Sequence, residues 1–131
     1  ITAPRDVIDA AESNAPLVGG EVLALEQFRE LRADLTGIEI VSSAIQADAV
    51  FHDRFLNSGL YVPEPTLLAT LSYDAVALAL RAMQSGNVAA ALEQIEYTGL
   101  NGTIRFSGGY WADAPIYTYQ YDDEGKLALA R

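Results

Sequence analysis

Side chains able to do chemistry are few in this chain, and the most informative is Glu21. It follows Pro16-Leu17-Val18, which reads as a short buried strand, and the pair Gly19-Gly20, and it precedes a helical segment. That order puts a carboxylate at the carboxyl end of a strand, where α/β sheets place ligands. The glycines let backbone and ligand approach closely. A carboxylate so placed can hold a cationic group through charge-assisted hydrogen bonds, or simply favour the start of its own helix; spacing alone leaves both open. His52 is the single histidine and stands beside Asp53 on the charged side of a short helix. Serines are available to it, but no Gly-x-Ser-x-Gly elbow occurs, and it reads as a surface residue. Tyr117, Tyr119 and Tyr121 alternate along one segment. They suit stacking on a ring-shaped ligand, but one face of a half-buried hairpin is the reading adopted. Asp122-Asp123-Glu124-Gly125 lacks the alternating oxygen ligands of a calcium loop and reads as a turn. Asn101-Gly102-Thr103 is formally a glycosylation sequon and is also read as a turn. Neither Gly19-Gly20 nor Ser107-Gly108-Gly109 matches a phosphate-binding fingerprint. No catalytic residue, metal ligand or cofactor is assigned, and a binding protein is expected rather than an enzyme.

The elements that would position these groups alternate at first between strand and helix. Ile1-Thr2-Ala3 is a short β-type tail, and Val7, Ile8, Ala10 and Ala11 give an apolar helix face through Asn14. A second helix is expected from Leu23 to Leu35, with Leu25, Phe28, Leu31 and Leu35 at helical spacing, ended by Gly37. Ile38-Glu39-Ile40-Val41 follows as a strand. This pattern predicts parallel βαβ units, with Pro16–Val18 and Ile38–Val41 in one sheet. Further on come a short helix at Asp48–Leu56 with Val50, Phe51 and Phe55 on one side, a rigid extended linker at Tyr61–Pro65, and a long helix at Thr66–Gln84. Asn87 caps a last helix, Val88–Glu96. Gly102–Phe106 reads as one strand, and Ala114–Tyr121 and Lys126–Ala130 as an antiparallel hairpin. About three strands are too few for a doubly wound sheet, and the hairpin has no obvious sheet to join. Missing partners or strand exchange between copies would account for both.

The chain has 131 residues, 50% of them hydrophobic and 20% charged, which is globular rather than disordered composition. Acidic residues outnumber basic ones 18 to 8, for a formal charge of -10. A surface of that sign is unsuited to nucleic acid or anionic lipid. The absence of cysteine excludes disulfides, thiolate nucleophiles and cysteine-ligated metals. Tyr73, Asp74 and Arg81 interrupt the longest apolar stretch, Leu67–Met83, so it does not read as a membrane span. The chain opens on Ile1-Thr2-Ala3-Pro4, without Met, signal peptide or lipidation motif, and a matured chain or a fragment is expected.

The run Pro16–Glu21, a helix, and Gly37–Ser42 resemble the second lobe of type I periplasmic solute-binding proteins, the leucine/isoleucine/valine-binding family of ABC importers. The resemblance continues through Ser72-Tyr73-Asp74-Ala75-Val76, the Leu-x-x-Ile-x-Tyr-x-Gly pattern of Leu92–Gly99, Gly102–Phe106, Pro115–Tyr121 and Asp123–Lys126. It implies an α/β chain with a partial type I periplasmic-binding-protein fold: Rossmann-like βαβ units plus a C-terminal β-hairpin, a fragment of a two-lobed protein. Residues 1–39 would be part of the second lobe, 40–106 the hinge crossings and helices of the first lobe, and 107–131 the C-terminal hairpin of the second. The implied function is an extracytoplasmic solute receptor that closes two lobes by hinge motion over an amino acid or similar small polar solute and docks on an ABC permease. The implied location is periplasmic or extracellular, with lipid anchoring through a missing N-terminal part. By the same resemblance Glu21 receives a ligand ammonium and Gly20 lies beside it. Where members often carry an aromatic, this chain has Ala3 and Pro4. Tyr73 matches the tyrosine that opens the long helix, facing either ligand or core. A sensory or regulatory ligand-binding domain, or a lipoprotein activator of cell-wall synthesis, uses the same fold and is the alternative. A lone fragment of this kind is also expected to self-associate.

Overall fold

The computed structural model describes residues 16–31 and 34–130. The expected strand at Ile1–Ala3, the expected helix at Val7–Asn14, and Ala3 and Pro4 lie outside the described residues. The chain divides into two compact units, Ile1–Ser42 with Ile116–Arg131, and Ser43–Pro115. Residues 40–42 thus stay with the first unit, and residues 107–115 with the second.

The first unit is a four-stranded sheet in the order β1 (Leu17–Gly19), β2 (Ile38–Ser42), β7 (Tyr117–Tyr121), β8 (Leu127–Leu129). β1 and β2 are parallel, with Leu17 opposite Ile38 and Gly19 opposite Ile40. Together with the helical segment between them they form the expected βαβ unit. β2 is an inner strand, and Ile38, Ile40 and Ser42 on one face are buried, the two-residue period of a pleated strand. The hairpin of β7 and β8 forms as expected. It is not an orphan, however. β7 lies antiparallel to β2, with Ile40 opposite Tyr119 and Ser42 opposite Tyr117. A connection this distant in sequence leaves no local signal, which is why the hairpin had no visible partner. Tyr119 is buried, and Tyr117 and Tyr121 half-buried, so the tyrosine stripe packs in the sheet.

The single helix expected over Leu23–Leu35 is replaced by a 3-10 turn, Glu21–Ala24, a break at Leu25, and α1 (Glu26–Leu31). Leu25 is extended, with ψ of 146°. The Tyr121 hydroxyl donates a 2.6 Å hydrogen bond to the Leu23 carbonyl, the group that a continuous helix would give to an amide one turn on. Leu23 and Phe28 are buried on the two sides of this break, and Leu35 lies beyond α1.

The second unit carries three helices: α2 (Ala49–Leu56), α3 (Leu67–Met83) and α4 (Val88–Gln94). Asp48 and Asn87 cap α2 and α4, their side chains accepting from Phe51 N at 2.7 Å and Ala90 N at 3.2 Å. Phe51 is buried and Phe55 half-buried, but Val50 is exposed, because one residue before Phe51 it is turned about 100° away from the α2 contact face. No single described helix is long and apolar enough to cross a membrane, and α3 and α4 meet at a bend of 116°. The strand expected over Gly102–Phe106 is broken. β4 (Gly102–Ile104) pairs antiparallel with β3 (Tyr97–Gly99), while β5 (Phe106–Ser107) pairs with β6 (Tyr110–Trp111) across a Gly108-Gly109 turn. Both glycines have positive φ, 60° and 84°, as a tight two-residue hairpin turn requires. Arg105 at the break pairs with Asp113.

A buried polar cluster ties this unit together. Leu67, Thr70, Asp74, Leu78 and Ala82 form the inward stripe of α3. Asp74, 1% exposed, accepts from Leu100 N (2.9 Å), Asn101 N (2.8 Å) and Asn101 Nδ2 (2.7 Å). Asn101 Oδ1 in turn accepts from Ile45 N at 2.8 Å and from the Thr70 hydroxyl at 3.2 Å. Asn101 does sit at a β-turn, as the sequence suggests, but it is 2% exposed and its side-chain amide is held by Asp74, Ile45 and Thr70. A folded chain does not offer it for glycosylation.

Candidate functional site

The geometry around Glu21 begins with Gly19. A Cβ on Gly19 would come within 2.6 Å of Leu23 Cδ1, so a glycine here lets the buried Leu23 side chain pack directly against the end of β1. Gly20 follows with extended backbone (φ −90°, ψ −164°), and its carbonyl accepts from Leu23 N at 3.0 Å. Among the described residues, nothing lies within 4 Å of the place a Gly20 Cβ would take. The surface beside Glu21 is therefore open on that side.

Glu21 is half-buried. It leaves the carboxyl end of β1, and Ser42 ends β2, the adjacent parallel strand. The two strand ends meet: Ser42 Oγ donates a 2.6 Å hydrogen bond to Glu21 Oε1. Among the described residues, none hydrogen-bonds Glu21 Oε2. The arrangement offers one carboxylate oxygen beside an open backbone, at the sheet edge where α/β proteins bind ligands. Gly20 and Glu21 are thus brought together as the sequence indicates. In the sequence Ser42 entered only as the last residue of the Gly37–Ser42 run that carries the resemblance; its place opposite Glu21 depends on the parallel register of β1 and β2.

Tyr73 belongs to the other unit. It is 44% exposed, more than a core residue would be, and its ring meets Phe51 edge-on at 5.3 Å between centroids. It lines a shallow apolar recess with Phe55, Leu68, Ala69, Ser72 and Val76. His52 lies at the surface between carboxylates, Nε2 2.7 Å from Glu64 Oε2 and Nδ1 3.4 Å from Asp53 Oδ1. These contacts raise its pKa above the ordinary imidazole value, Glu64 contributing most. Burial pushes the Tyr121 phenol up, consistent with its role as donor to Leu23. Asp122 Oδ1 accepts from Glu124 N and Lys126 N at 2.9 and 2.8 Å, the bonds of a turn. Among the described residues, no three His, Asp or Glu side chains cluster as a metal would need.

No family model matches the chain, and no curated protein matches it. Solved structures do. A leucine-binding protein from Thermotoga maritima superimposes with a TM-score of 0.70 at 14% identity, over 97% of this chain and 41% of its own. A branched-chain amino acid transporter substrate-binding protein from Streptococcus pneumoniae, in complex with isoleucine, gives 0.69 at 20% identity, over 96% and 40%. An ABC transporter solute-binding protein from R. palustris, in complex with benzoate, gives 0.68 at 21% identity, over 94% and 38%. The chain spans about two-fifths of the length of the solved proteins it matches. Its fold is that of part of a two-lobed, type I periplasmic binding protein.

Proposed function

We propose that the chain is part of an extracytoplasmic solute receptor of an ABC importer, binding an amino acid or similar amine-bearing solute at Glu21. The observation that carries this is the half-buried carboxylate at the end of β1, with one oxygen held by Ser42, none of the described residues bonding the other, and the neighbouring Gly20 leaving open space beside it. Such an oxygen attracts an ammonium and repels a bare carboxylate. Leucine and isoleucine, the ligands of two structural neighbours, carry an ammonium; benzoate, the ligand of a third, does not. Glu21 therefore favours the first class. In this reading the Glu21 unit belongs to the second lobe and the helical unit to the first. Tyr73 supplies a further ligand contact, the whole protein closes by hinge motion and docks on a permease, and its location is periplasmic or extracellular.

Calorimetry on the full gene product with L-leucine, L-isoleucine and benzoate tests the reading. Binding of an amino acid is expected, and Glu21→Gln should weaken it by roughly two to three powers of ten, as for a charge left without its partner. Unchanged affinity in Glu21→Gln, or binding of benzoate alone, overturns it. Val76, Leu80 and Met83 form an exposed apolar stripe on α3, which supports self-association of the isolated chain. Light scattering that shows only monomer at high concentration would count against that second point.

A further inference from the structure

Ser42 has no assigned task, yet its position is the most constrained in the neighbourhood of Glu21. It is 5% exposed, shares the buried face of β2 with Ile38 and Ile40, and has its backbone fixed by pairing opposite Tyr117 of β7. Glu21, by contrast, stands on a short turn next to a glycine with no neighbouring atoms on its open side. A glutamate in that setting has three side-chain torsions to lose on binding. The 2.6 Å bond from the Ser42 hydroxyl removes most of that freedom in advance, and a group held in its binding geometry beforehand costs less to use.

Resting on the proposed function, we infer that Ser42 is the positioning residue of the site: it occupies one oxygen of Glu21 and presents the other to the ligand. The arrangement also selects among cations. A guanidinium is a planar fork that is best met by both oxygens of a carboxylate side by side, whereas an ammonium is a compact point charge satisfied by one. With the Ser42 hydroxyl already on Oε1, a side-on guanidinium has to share that oxygen, whereas an ammonium is met by Oε2 alone, so the site favours a primary ammonium over a guanidinium.

The experiment uses the full gene product and, as probes, the twenty common L-amino acids and the α-guanidino counterpart of whichever binds tightest. Ser42→Ala should weaken the amino acid about tenfold, the loss typical of a hydrogen bond to a charged group, and narrow its advantage over the guanidino compound. Ser42→Thr, which keeps the hydroxyl, should restore both. In a Glu21→Gln background Ser42→Ala should have little further effect, since it acts through the carboxylate. A merely structural serine would move neither the ammonium-to-guanidinium ratio nor this non-additivity. If Glu21→Gln weakens binding but Ser42→Ala alters neither affinity nor ratio, the positioning role is wrong and the proposed function stands. If Glu21→Gln has no effect, or none of the amino acids binds, the two fall together.

Discussion

Two carboxylates in this chain meet hydrogen-bond donors from a neighbouring strand or turn, and they end in opposite states. Asp74 lies in the second unit, almost fully buried, and spends both oxygens on Leu100 N, Asn101 N and Asn101 Nδ2. Glu21 lies in the first unit, half-buried, and spends one oxygen on Ser42. A buried carboxylate with full valence is a fastener: its charge is balanced by amides, and nothing else can approach. A partly exposed carboxylate with one oxygen bound is aimed but unspent. The glycines beside the two acids repeat the contrast. A Cβ on Gly99 would fall 2.6 Å from Asp74 Oδ2, while one on Gly20 would meet nothing.

The sharpest way to break this contrast is Asp74→Ala. It strands three donors, two of them buried, and should cost about 3–5 kcal/mol in urea unfolding. Trp111, the single tryptophan, reports on that unit by fluorescence. A loss below about 1 kcal/mol would show that Asp74 is not the fastener described. Gly99→Ala comes next, with about 2–3 kcal/mol lost to overpacking against the Asp74 carboxylate. Its counterpart Gly20→Ala should stay within about 0.5 kcal/mol of the parent, as should Glu21→Gln, whose effect belongs to ligand affinity. Trp111 fluorescence reads Gly99→Ala, and far-ultraviolet circular dichroism, which follows both units, reads Gly20→Ala and Glu21→Gln; a Gly20→Ala loss equal to that of Gly99→Ala would erase the distinction. The smallest effect is expected at a third, solvated acid, Glu64. Its hydrogen bond is the largest cause of the raised His52 pKa, followed by Asp53. Because the folded value lies above the unfolded one, the stabilisation is fully present below about pH 6.5 and is lost as pH rises through the folded value. Proton NMR should place the His52 midpoint above 6.5, and Glu64→Gln should lower it.

The sequence made the Glu21 neighbourhood legible because its determinants are local. A short apolar strand, two glycines and an acid before a helical turn carry their own geometry, and the parallel pairing of Leu17 with Ile38 follows from βαβ logic. The α2 and α4 caps were equally local, at Asp48 and Asn87. What escaped was non-local. Asp74 looked like an interruption in an apolar helix, because its partners at Leu100 and Asn101 lie beyond the next helix, in the turn between β3 and β4. The helix expected through Leu25 breaks because Tyr121 takes the Leu23 carbonyl from the far end of the chain. Tyr73 carries an aromatic ring on a helix, which suggests core, yet the inward stripe of α3 runs through Thr70 and Asp74 and leaves Tyr73 half outside.

The first unit is assembled from two separated stretches of polypeptide, and this has a consequence for biosynthesis. Ile40 and Ser42 leave the ribosome long before their neighbours Tyr119 and Tyr117. At ordinary translation speeds the delay is on the order of ten seconds. During that interval the Ser43–Pro115 stretch is available to fold, while β2 travels with one backbone edge open to any other nascent or extended chain. A message truncated before Tyr117 would yield a polypeptide that keeps this sticky edge permanently.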